Sequence, residues 1–529
     1  MPFAKVCGAQ VTGLRGNIVR VEVDRTRGLH SFSIVGLAGK AVEESRERVS
    51  AALKNSGYEN IKSQNQKIIL SLSPSDLKKE GSFFDLAMAI ALLLSSGEAR
   101  TKTDSIIDDI VFVGELSLDG TLRPVRGILP IAMEAKLSGF SYIIVPLENA
   151  AEAALVENIH VFGARNIREV AEAIKSGSIP EYEREDILYI DEKESIDFAD
   201  IKGQENAKRA LVVAAAGGHN TLMYGPPGTG KTMLAKAFAG ILPPLSREDS
   251  LAVTGIHSAA GRLRQHLITH PPIRSPHHTS SFGAMIGGGS FPRPGEVTLA
   301  HKGVLFLDEF PEFDRRVIET LREPLEDHVV TISRSKGAET FPSDFIFMAA
   351  MNPCPCGYAG STIRHCTCAP HDIARYRKKI SGPILDRIDI TIPVEHVPFE
   401  KMVGTENTEI QNHSISNGEN LNSNNLMSSE YIREEIKTAR ERQKFRLQSL
   451  GLRKEINAEL SAKELLIAAP LSEPVRMLLN MSAEKLGLSV RAYHRVIRIS
   501  RTIADLEMHE EIKERHILEA LQYRPKLFN

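Results

Sequence analysis

The feature that most constrains this chain is an octapeptide at residues 225–232 that fits the pattern G-x-x-x-x-G-K-S/T. A short apolar run at residues 220–224 precedes it and predicts a buried strand, and residues 233–239 have the composition of a helix. In this setting backbone N–H groups can surround a polyphosphate, while the lysine reaches the terminal phosphates and the last hydroxyl binds Mg²⁺. A glycine-rich turn without a ligand is the alternative. The context predicts a P-loop for ATP and Mg²⁺ made of Gly225, Pro226, Pro227, Gly228, Thr229, Gly230, Lys231 and Thr232.

The overall composition is that of an ordinary globular protein and limits the partners of the chain. The chain has 529 residues, of which 42% are hydrophobic and 25% charged, and its length predicts several domains. Its net charge of -2 excludes a globally basic surface, so any contact with nucleic acid must be local. No apolar run approaches the roughly 18 residues that a membrane span needs. Residues 1–7 lack the apolar core of a signal peptide, and we expect a cytoplasmic protein with no membrane partner.

The first third of the chain, residues 1–178, predicts a separate domain that mixes strands and helices. Residues 17–23 alternate apolar and polar side chains as a half-buried strand does. Residues 40–58 show the apolar stripe of an amphipathic helix. Residues 106–122 predict a hairpin that turns at residues 118–121.

Composition marks the later boundaries of an α/β protein with a helical end. An acidic stretch predicts a linker over residues 179–199, and the P-loop core is expected over residues 200–397. Residues 403–429 are rich in Asn and Ser and contain no Lys or Arg, so we expect a disordered insert. Residues 430–529 predict a C-terminal helical lid, in which Ser489 is the expected N-cap of one helix.

Two later segments supply further groups that ATP hydrolysis needs. Residues 303–309 form an apolar run ending in Asp308 and Glu309, which predicts a Walker B strand. Asp308 would hold Mg²⁺ through water, and Glu309 would polarise the attacking water. A third apolar run, residues 345–350, is followed by Asn352, whose amide is a candidate to orient that water. An ordinary turn asparagine before a proline is the alternative.

Two arginines are candidates to reach a nucleotide from a distance. Arg387 precedes a strand-like run and is a candidate arginine finger for a neighbouring subunit, the alternative being a salt bridge with Asp386 or Asp389. Arg491 opens a predicted lid helix and could close onto the γ-phosphate, the alternative being a solvated helix arginine.

Four of the five cysteines lie within fifteen positions, inside the segment 354–368. Cys354, Cys356, Cys366 and Cys368 form two C-x-C pairs, and four thiolates this close suit tetrahedral Zn²⁺. His365 or His371 could replace one sulfur, and reduced thiols without a metal are the alternative. The segment around the cysteines is basic, which makes it a second candidate for contact with a phosphate backbone.

Four segments together resemble the magnesium-chelatase-like AAA+ family known as ComM or YifB: residues 197–204, the P-loop, residues 292–301 and residues 351–357. The resemblance covers the whole chain. It implies a homo-oligomeric AAA+ ring, a hexamer, with ATP bound between subunits. It also implies that Asn352 is sensor 1, Arg387 the arginine finger and Arg491 sensor 2, acting on its own or a neighbouring subunit. Members of this family are implied to be DNA helicases that drive branch migration in recombination and natural transformation.

Two segments are candidates to line the pore of such a ring. Residues 271–280, followed by glycines at 287–289, are similar to an inserted loop. Residues 330–340 predict a hairpin before the sensor 1 strand, and in related helicase rings such a hairpin carries a basic residue into the pore. We therefore expect Arg334 and Lys336 to contact DNA, with a solvated turn as the alternative.

The N-terminal domain resembles the proteolytic domain of Lon, an α+β fold. Phe83 stands where Lon has its nucleophilic serine, and Leu129 follows the stretch that precedes the Lon lysine. Without that serine and lysine an activated nucleophile cannot form, so we expect no peptidase activity. The domain is expected to support ring assembly or to bind DNA or a partner.

Two other functions remain open at this stage. One is a chelatase motor subunit, in which ATP turnover drives metal insertion into a porphyrin; the P-loop core is shared with that family. The other is an ATPase that remodels polypeptides, for which Phe282 and Phe291 in or near the predicted insert would be the contact residues.

Overall fold

A computed structural model of the chain describes residues 3–59, 61, 65–99, 104–184, 196–264, 266–289, 292–334, 337–361, 364–397 and 428–524. The predicted disordered insert lies outside these residues, except that Ser428 and Ser429 begin a helix. The predicted linker is described only at its two ends, and its last residues form part of a 3-10 helix in which Phe198 is buried. Among the described helices, none combines the length and apolar composition needed to cross a membrane.

The first domain is a mixed sheet covered by helices. The strands are β1 (Phe3–Thr12), β2 (Arg15–Arg27), β3 (Ser31–Val35), β4 (Gln66–Ser73), β5 (Ile110–Phe112), β6 (Glu115–Leu116), β7 (Leu122–Arg123), β8 (Tyr142–Pro146) and β9 (His160–Ala164). Seven of these described strands pair in the order β3-β4-β2-β1-β5-β8-β9. A buried helix, Asp85–Ser96, lies against β1 and β2, and its apolar side chains on all faces explain its position inside the domain. The helices are α1 (Lys40–Asn55), α2 (Asp85–Ser96), α3 (Ile128–Leu137), α4 (Leu147–Ala153) and α5 (Ile167–Ser176), with a 3-10 helix at Asp104–Asp109.

The hairpin predicted over residues 106–122 is wrong in its extent. Only β6 and β7 form a hairpin, with Glu115 opposite Arg123. Strand β5 instead pairs in parallel with β1 and β8. The apolar run before the turn is therefore a buried strand of the main sheet, which local alternation cannot distinguish from a hairpin arm.

The second domain is a parallel sheet with the P-loop at the carboxyl ends of its strands. The strands of this domain are β10 (Thr221–Tyr224), β11 (Ile273–Arg274), β12 (Gly287–Gly288), β13 (Arg293–Pro294), β14 (Val304–Leu307), β15 (Val329–Arg334), β16 (Gly337–Pro342), β17 (Ile346–Met351) and β18 (Ile390–Pro393). Five of them form the parallel sheet in the order β11-β14-β17-β10-β18, and every pair is parallel. Its helices are α6 (Glu205–Gly217), α7 (Lys231–Gly240), α8 (Arg247–Ala259), α9 (Phe282–Ile286), α10 (Glu296–Leu299), α11 (Arg315–Thr320), α12 (Arg322–Asp327), α13 (Pro370–Arg377) and α14 (Gly382–Leu385), with 3-10 helices at Phe198–Asp200 and Phe310–Glu312.

Parallel pairing separates the two ends of the strands. Strand β17 is buried along its whole length, as expected for a strand covered on both faces. The residues that follow β10, β14 and β17 all lie at the carboxyl ends of the strands, where ligands of such folds bind. The segment predicted as an inserted loop, residues 271–280, contains the edge strand β11, so the loop begins only after Arg274.

The C-terminal helices pack on the second domain. They are α15 (Ser429–Ser449), α16 (Ala462–Ala468), α17 (Glu473–Leu486), α18 (Val490–Leu506) and α19 (Glu514–Gln522), with a 3-10 helix at Asn457–Glu459. Ser489 caps α18 by accepting a hydrogen bond from the N–H of Ala492, which confirms the predicted N-cap. Helices α15 and α18 share an apolar core with α6.

A polar contact joins the first domain to the second. The N–H of Gly127 donates to the carbonyl of Ser258 at 3.1 Å, and the N–H of Leu129 donates to Glu152 at 2.7 Å. The hydroxyl of Ser258 also donates to Glu152. Burial raises the pKa of the Glu152 carboxyl, and the hydrogen bonds from Ser258 and Leu129 oppose this effect. The two domains therefore share a buried carboxyl group where α3 meets α8.

Candidate nucleotide-binding site

The P-loop connects β10 to α7 through a turn that needs glycine. Gly228 and Gly230 have φ values of +77° and +89°, a region that side chains with a Cβ rarely adopt. A Cβ built on either glycine meets nothing within 4 Å, so the loop presents bare backbone to open space. This arrangement fits a polyphosphate, because phosphate oxygens bind backbone N–H groups at close approach. Gln204 supports the loop by donating to the carbonyl of Thr229 at 3.4 Å.

Lys231 lies inside this loop and points toward three oxygen atoms. Its Nζ donates to the carbonyls of Gly225 and Pro226, both at 2.8 Å, and to Oδ1 of Asn352 at 3.3 Å. Burial lowers the pKa of Lys231, and the charge of Asp308 opposes that shift. The contact with Asn352 joins the P-loop to the residue that follows β17.

The groups expected to hold Mg²⁺ lie side by side. Oγ1 of Thr232 donates to Oδ2 of Asp308 at 2.6 Å, and Oδ1 of Asp308 accepts from the N–H of Glu309 at 2.9 Å. A hydroxyl and a carboxylate are hard oxygen ligands of the type that Mg²⁺ prefers. The structure therefore brings together the candidate ligands from α7 and from the end of β14.

Glu309 has an unusual backbone and a partner that the sequence did not indicate. Its φ of +51° and ψ of +42° place a residue with a side chain in the left-handed region. Nδ1 of His278 lies 3.5 Å from its Oε2. His278 lies four residues after the edge strand β11, so the signal that could have identified it is a histidine pair shortly after that strand.

The two candidate arginines lie at the amino ends of the strands, opposite the P-loop. Arg387 and Asp386 precede β18, which runs parallel to β10, so they lie at the amino end of the strands. Nη1 of Arg491 donates to Oδ2 of Asp386 at 3.0 Å. Since each strand residue advances about 3.3 Å, the length of β10 separates this end from the P-loop by roughly 10 Å. Neither arginine lies at the P-loop end of the sheet in its own chain.

Arg387 has a different partner from the two that the sequence offered. It pairs with Glu326, and its Nη1 donates to the carbonyl of Pro383 at 2.7 Å. Asp386 is instead occupied by Arg491, and Asp389 lies near Arg495 and Arg498. A cavity of about 730 Å³ opens at this end of the sheet and is lined by both Arg387 and Arg491.

The four cysteines come together in the turn that follows β17. The sulfur of Cys354 lies 3.4 Å from that of Cys356 and 3.6 Å from that of Cys366, and all four sulfurs lie within 4.8 Å of one another. A zinc ion with Zn–S bonds of about 2.3 Å requires sulfurs about 3.8 Å apart, so the cluster fits. Neither His365 nor His371 belongs to it.

The cysteine turn also contacts the P-loop. Gly357 has a φ of +86°, and a Cβ on it would lie 2.7 Å from Cδ of Pro227. Backbone N–H groups, that of Tyr358 above all, lower the pKa of the Cys356 thiol to about 5. The same turn therefore links the cysteine cluster, Asn352 and the P-loop.

The hairpin proposed to contact DNA is present as β15 and β16. Arg334 pairs with Gly337 at its end. Lys336 and the side chain of Arg334 lie outside the described residues, so their contact with DNA stays a prediction. In its middle the hairpin approaches the first domain, because a Cβ on Gly13 would lie 3.1 Å from the carboxylate of Glu339.

The positions compared with the Lon dyad hold apolar side chains. Phe83 is 6% exposed and Leu129 is fully buried. The nearby Ser82 donates its hydroxyl to Glu115, and Lys79 donates to the carbonyl of Pro74. Neither of these two polar groups contacts the other.

The P-loop follows β10, the acidic pair follows β14, and Asn352 follows β17, the strand that lies between those two. This arrangement, on a parallel sheet with a helical C-terminal domain, defines an AAA+ type nucleotide-binding protein. The family model described as magnesium chelatase, subunit ChlI, matches residues 197–402. The models described as subunit ChlI of Mg-chelatase and as its C-terminal part match residues 21–149 and 426–524.

Full-length relatives narrow this class. Competence protein ComM of Haemophilus influenzae is 38% identical over 529 residues, covering 99% of this chain and 98% of that protein. YifB of Salmonella typhimurium is 39% identical over 526 residues, covering 99% and 97%. The chain therefore belongs to the ComM/YifB family of magnesium chelatase-like AAA+ ATPases. A shorter likeness, 31% identity over 153 residues, relates 27% of the chain to Lon protease 2 of Bacillus subtilis.

Proposed function

We propose that this protein is a ring-forming ATPase that uses ATP hydrolysis to move branched DNA, a branch-migration helicase of recombination and natural transformation. The observation that carries the proposal is the likeness over 99% of the chain to a protein named for competence. DNA is the partner that this name supports, with ATP and Mg²⁺ bound at the P-loop.

In this proposal each site residue has a role that its geometry supports. Residues 225–230 surround the phosphates with backbone N–H groups, and Lys231 neutralises charge on the terminal phosphates. Thr232 and Asp308 hold Mg²⁺. Glu309 polarises the attacking water, and the amide of Asn352, next to Lys231, orients that water against the γ-phosphate.

The positions of Arg387 and Arg491 support a ring in which each site uses two subunits. Both arginines line a cavity at the amino ends of the strands, on the side opposite their own P-loop. From there they can serve a nucleotide only on a neighbouring copy, where their charge stabilises the transferring phosphoryl group. We infer that both act in trans and that the closed assembly is a hexamer.

The remaining segments have supporting roles in this proposal. Residues 1–178 form a Lon-like domain without peptidase activity, residues 179–199 a linker, residues 200–397 the ATPase core and residues 430–529 the lid. Arg334 and Lys336 reach DNA from the hairpin, and the four-cysteine segment at 354–368 holds Zn²⁺ through Cys354, Cys356, Cys366 and Cys368.

One specific observation favours a second candidate, a chelatase-like motor that drives metal insertion. All three family models that match the chain carry the name of a magnesium chelatase subunit. A third candidate, a motor that remodels polypeptides, has the support of Phe282, which is 44% exposed in the segment after β11. Phe291 lies outside the described residues.

The rate of ATP hydrolysis in the presence of different DNA structures separates these functions. It is measured without DNA, with single strands, with duplex and with a mobile four-way junction, and Lys231→Ala serves as the blank. We expect stimulation by DNA, strongest with the junction. Robust hydrolysis that no DNA structure stimulates would exclude the DNA motor and favour a chelatase-like or polypeptide-remodelling function.

A further inference from the structure

Asn220 lies directly before β10, the strand that leads into the P-loop, and all its polar groups have partners in neighbouring strands or turns. Its N–H donates to Oδ2 of Asp389 at 3.3 Å, and its carbonyl accepts from the N–H groups of Asp389 and Ile390. In the side chain, Oδ1 accepts from the N–H of Phe347 at 2.8 Å, and Nδ2 donates to the carbonyl of Arg387 at 3.0 Å. One amide therefore joins β17 to the turn that carries Arg387.

The two partners of this amide fix its orientation. A main-chain N–H needs an oxygen and a main-chain carbonyl needs an N–H, so reversing the amide would break both hydrogen bonds. Phe347 is fully buried and lies one residue before Met348, which pairs with Thr221 at the start of β10. The side chain of Asn220 supplies the acceptor that this buried N–H requires beyond the end of the strand pair. The amide is thus held by the sheet and points its nitrogen at Arg387.

The turn at Arg387 is held at its backbone more firmly than at its charged group. The carbonyl of Asp386 accepts from Nη2 of Arg495 in the lid at 2.7 Å, and the next carbonyl accepts from the Asn220 amide. Apart from a bond within its own turn, the guanidinium pairs with Glu326, whose side chain is 61% exposed. An ion pair with an exposed carboxylate contributes little stability. The guanidinium can therefore exchange partners while its backbone stays in place.

Asn220 also lies in the wall of the cavity that Arg387 and Arg491 line. Its side-chain hydrogen bonds go to Phe347 and Arg387 and not to the P-loop. Loss of the amide nitrogen would therefore loosen the arginine turn, while the glycine turn that binds phosphate keeps its own contacts.

We propose that Asn220 is a positioning residue for hydrolysis, whose amide holds the backbone of Arg387 where the guanidinium reaches the nucleotide of the neighbouring subunit. Misplacing a reacting or stabilising group by about 1 Å lowers a rate by up to about 10²-fold. The inference rests on the proposed function, in which Arg387 acts in trans. A defect at Asn220 then appears in the site of the neighbour and not in its own P-loop.

Steady-state hydrolysis by the full-length protein, without DNA, is the first test. Asn220→Asp keeps the size of the side chain and the acceptor for Phe347, but places an oxygen against the carbonyl of Arg387. We expect kcat to fall at least about tenfold and the KM for ATP to change less than about twofold. Asn149→Asp is the matched control, because the amide of Asn149 also binds a main-chain N–H and carbonyl, both of Val125 in the first domain. This control is expected to keep the wild-type kcat.

Equimolar mixing shows in which subunit the defect acts. The Asn220→Asp subunit keeps its P-loop and the Lys231→Ala subunit keeps its arginine, so co-assembly is expected to restore about a quarter of the wild-type sites. Mixing Asn220→Asp with Arg387→Ala is expected to restore none, because both subunits then carry a defective arginine. If Asn220 acted in its own site, the two outcomes would be exchanged, and that result would overturn the inference.

Two further measurements separate failure of the inference from failure of the ring. If Arg387→Ala mixed with Lys231→Ala restores no activity, Arg387 does not act in trans and that part of the proposed function fails. The double variant Asn220→Asp/Arg387→Ala then still tests the positioning, since its single-turnover rate is expected to equal that of Arg387→Ala alone. A further tenfold loss would refute it.

Asn220→Ala, which introduces no charge, guards against misfolding and is expected to give the same recovery in mixtures. If the KM for ATP rises more than about fivefold in both variants, Asn220 supports the P-loop strand instead, and the inference fails.

Discussion

The ammonium group of Lys231 lies 3.3 Å from the side-chain oxygen of Asn352. The two residues are far apart in sequence, and they meet because β17 pairs directly with β10. In the proposed mechanism, a group that binds the terminal phosphates thus touches a group that orients the attacking water. A change at Asn352 would then act on the chemical step next to an intact phosphate-binding loop.

Asn352→Ala is therefore expected to lower kcat far more than it raises the KM for ATP. Loss of one preorganised polar group at a transition state costs about 10²-fold in kcat. The measurement is steady-state hydrolysis with the wild type and with Asn17→Ala, a surface variant of the first domain, as references. An increase in KM with unchanged kcat would mean that Asn352 contributes to binding only.

Local patterns predict part of this site from the sequence. The strand, glycine turn and helix around residues 225–232 follow from neighbours along the chain, and the structure confirms them as β10 and α7. The acidic pair after an apolar run is equally local, and β14 ends at Leu307, directly before it. These elements depend on a few consecutive residues, so a single sequence carries enough information.

Sheet order decides the rest, and sequence patterns do not contain it. The opposite positions of Arg491 and the P-loop depend on β18 pairing with β10. The contact between His278 and Glu309 depends on β11 pairing with β14. The predicted hairpin over residues 106–122 fails for the same reason, because β5 finds its partners in β1 and β8.

Gly357→Ala is expected to weaken ATP binding through a clash with the P-loop. The new Cβ would lie 2.7 Å from Cδ of Pro227, so the loop or the cysteine turn must shift. We expect the KM for ATP to rise about tenfold, which corresponds to about 1.4 kcal/mol. Gly360→Ala is the matched control, because Gly360 has a similar φ of +78° but open space around it. Equal effects of the two variants would assign the loss to backbone strain and not to contact with Pro227.

The four-cysteine cluster is expected to hold one zinc ion per chain after metal-replete expression. The measurement is elemental analysis of the purified protein, and less than about 0.2 zinc per chain would exclude a four-thiolate site. Cys354→Ser is expected to remove the zinc, since Cys354 is the buried member of the cluster. Cys7→Ser, which changes the remaining cysteine far from the cluster in sequence, is expected to keep it.

Glu152→Gln is expected to stabilise the contact between the first two domains as the pH rises. Burial raises the pKa of Glu152 above its ordinary value of 4.5, so the folded protein binds the proton more tightly than the unfolded chain. The stabilising effect of that proton is complete below pH 4.5 and is lost as the pH rises through the folded value. Glutamine keeps the acceptor for Ser258 and Leu129 without a charge. The Tm of the variant, relative to wild type, should therefore increase between pH 4.5 and pH 8.

A difference in Tm that stays constant over this pH range would mean that Glu152 does not titrate at the contact. Glu148→Gln changes an exposed glutamate of the same helix and serves as the control. Both proteins are compared at one protein concentration, because assembly also shifts the apparent Tm.

Mixing two inactive variants tests whether Arg491 acts on a neighbouring subunit. Arg491→Ala keeps an intact P-loop, and Lys231→Ala keeps an intact arginine. If each site combines the P-loop of one subunit with Arg491 of the next, random co-assembly restores about a quarter of the wild-type sites, since rings repeat one head-to-tail contact. If Arg491 acts within its own chain, the mixture stays inactive. Co-assembly of Arg491→Ala with Arg387→Ala is the control: both arginines line one cavity, so each subunit would donate one defective arginine and no site would recover.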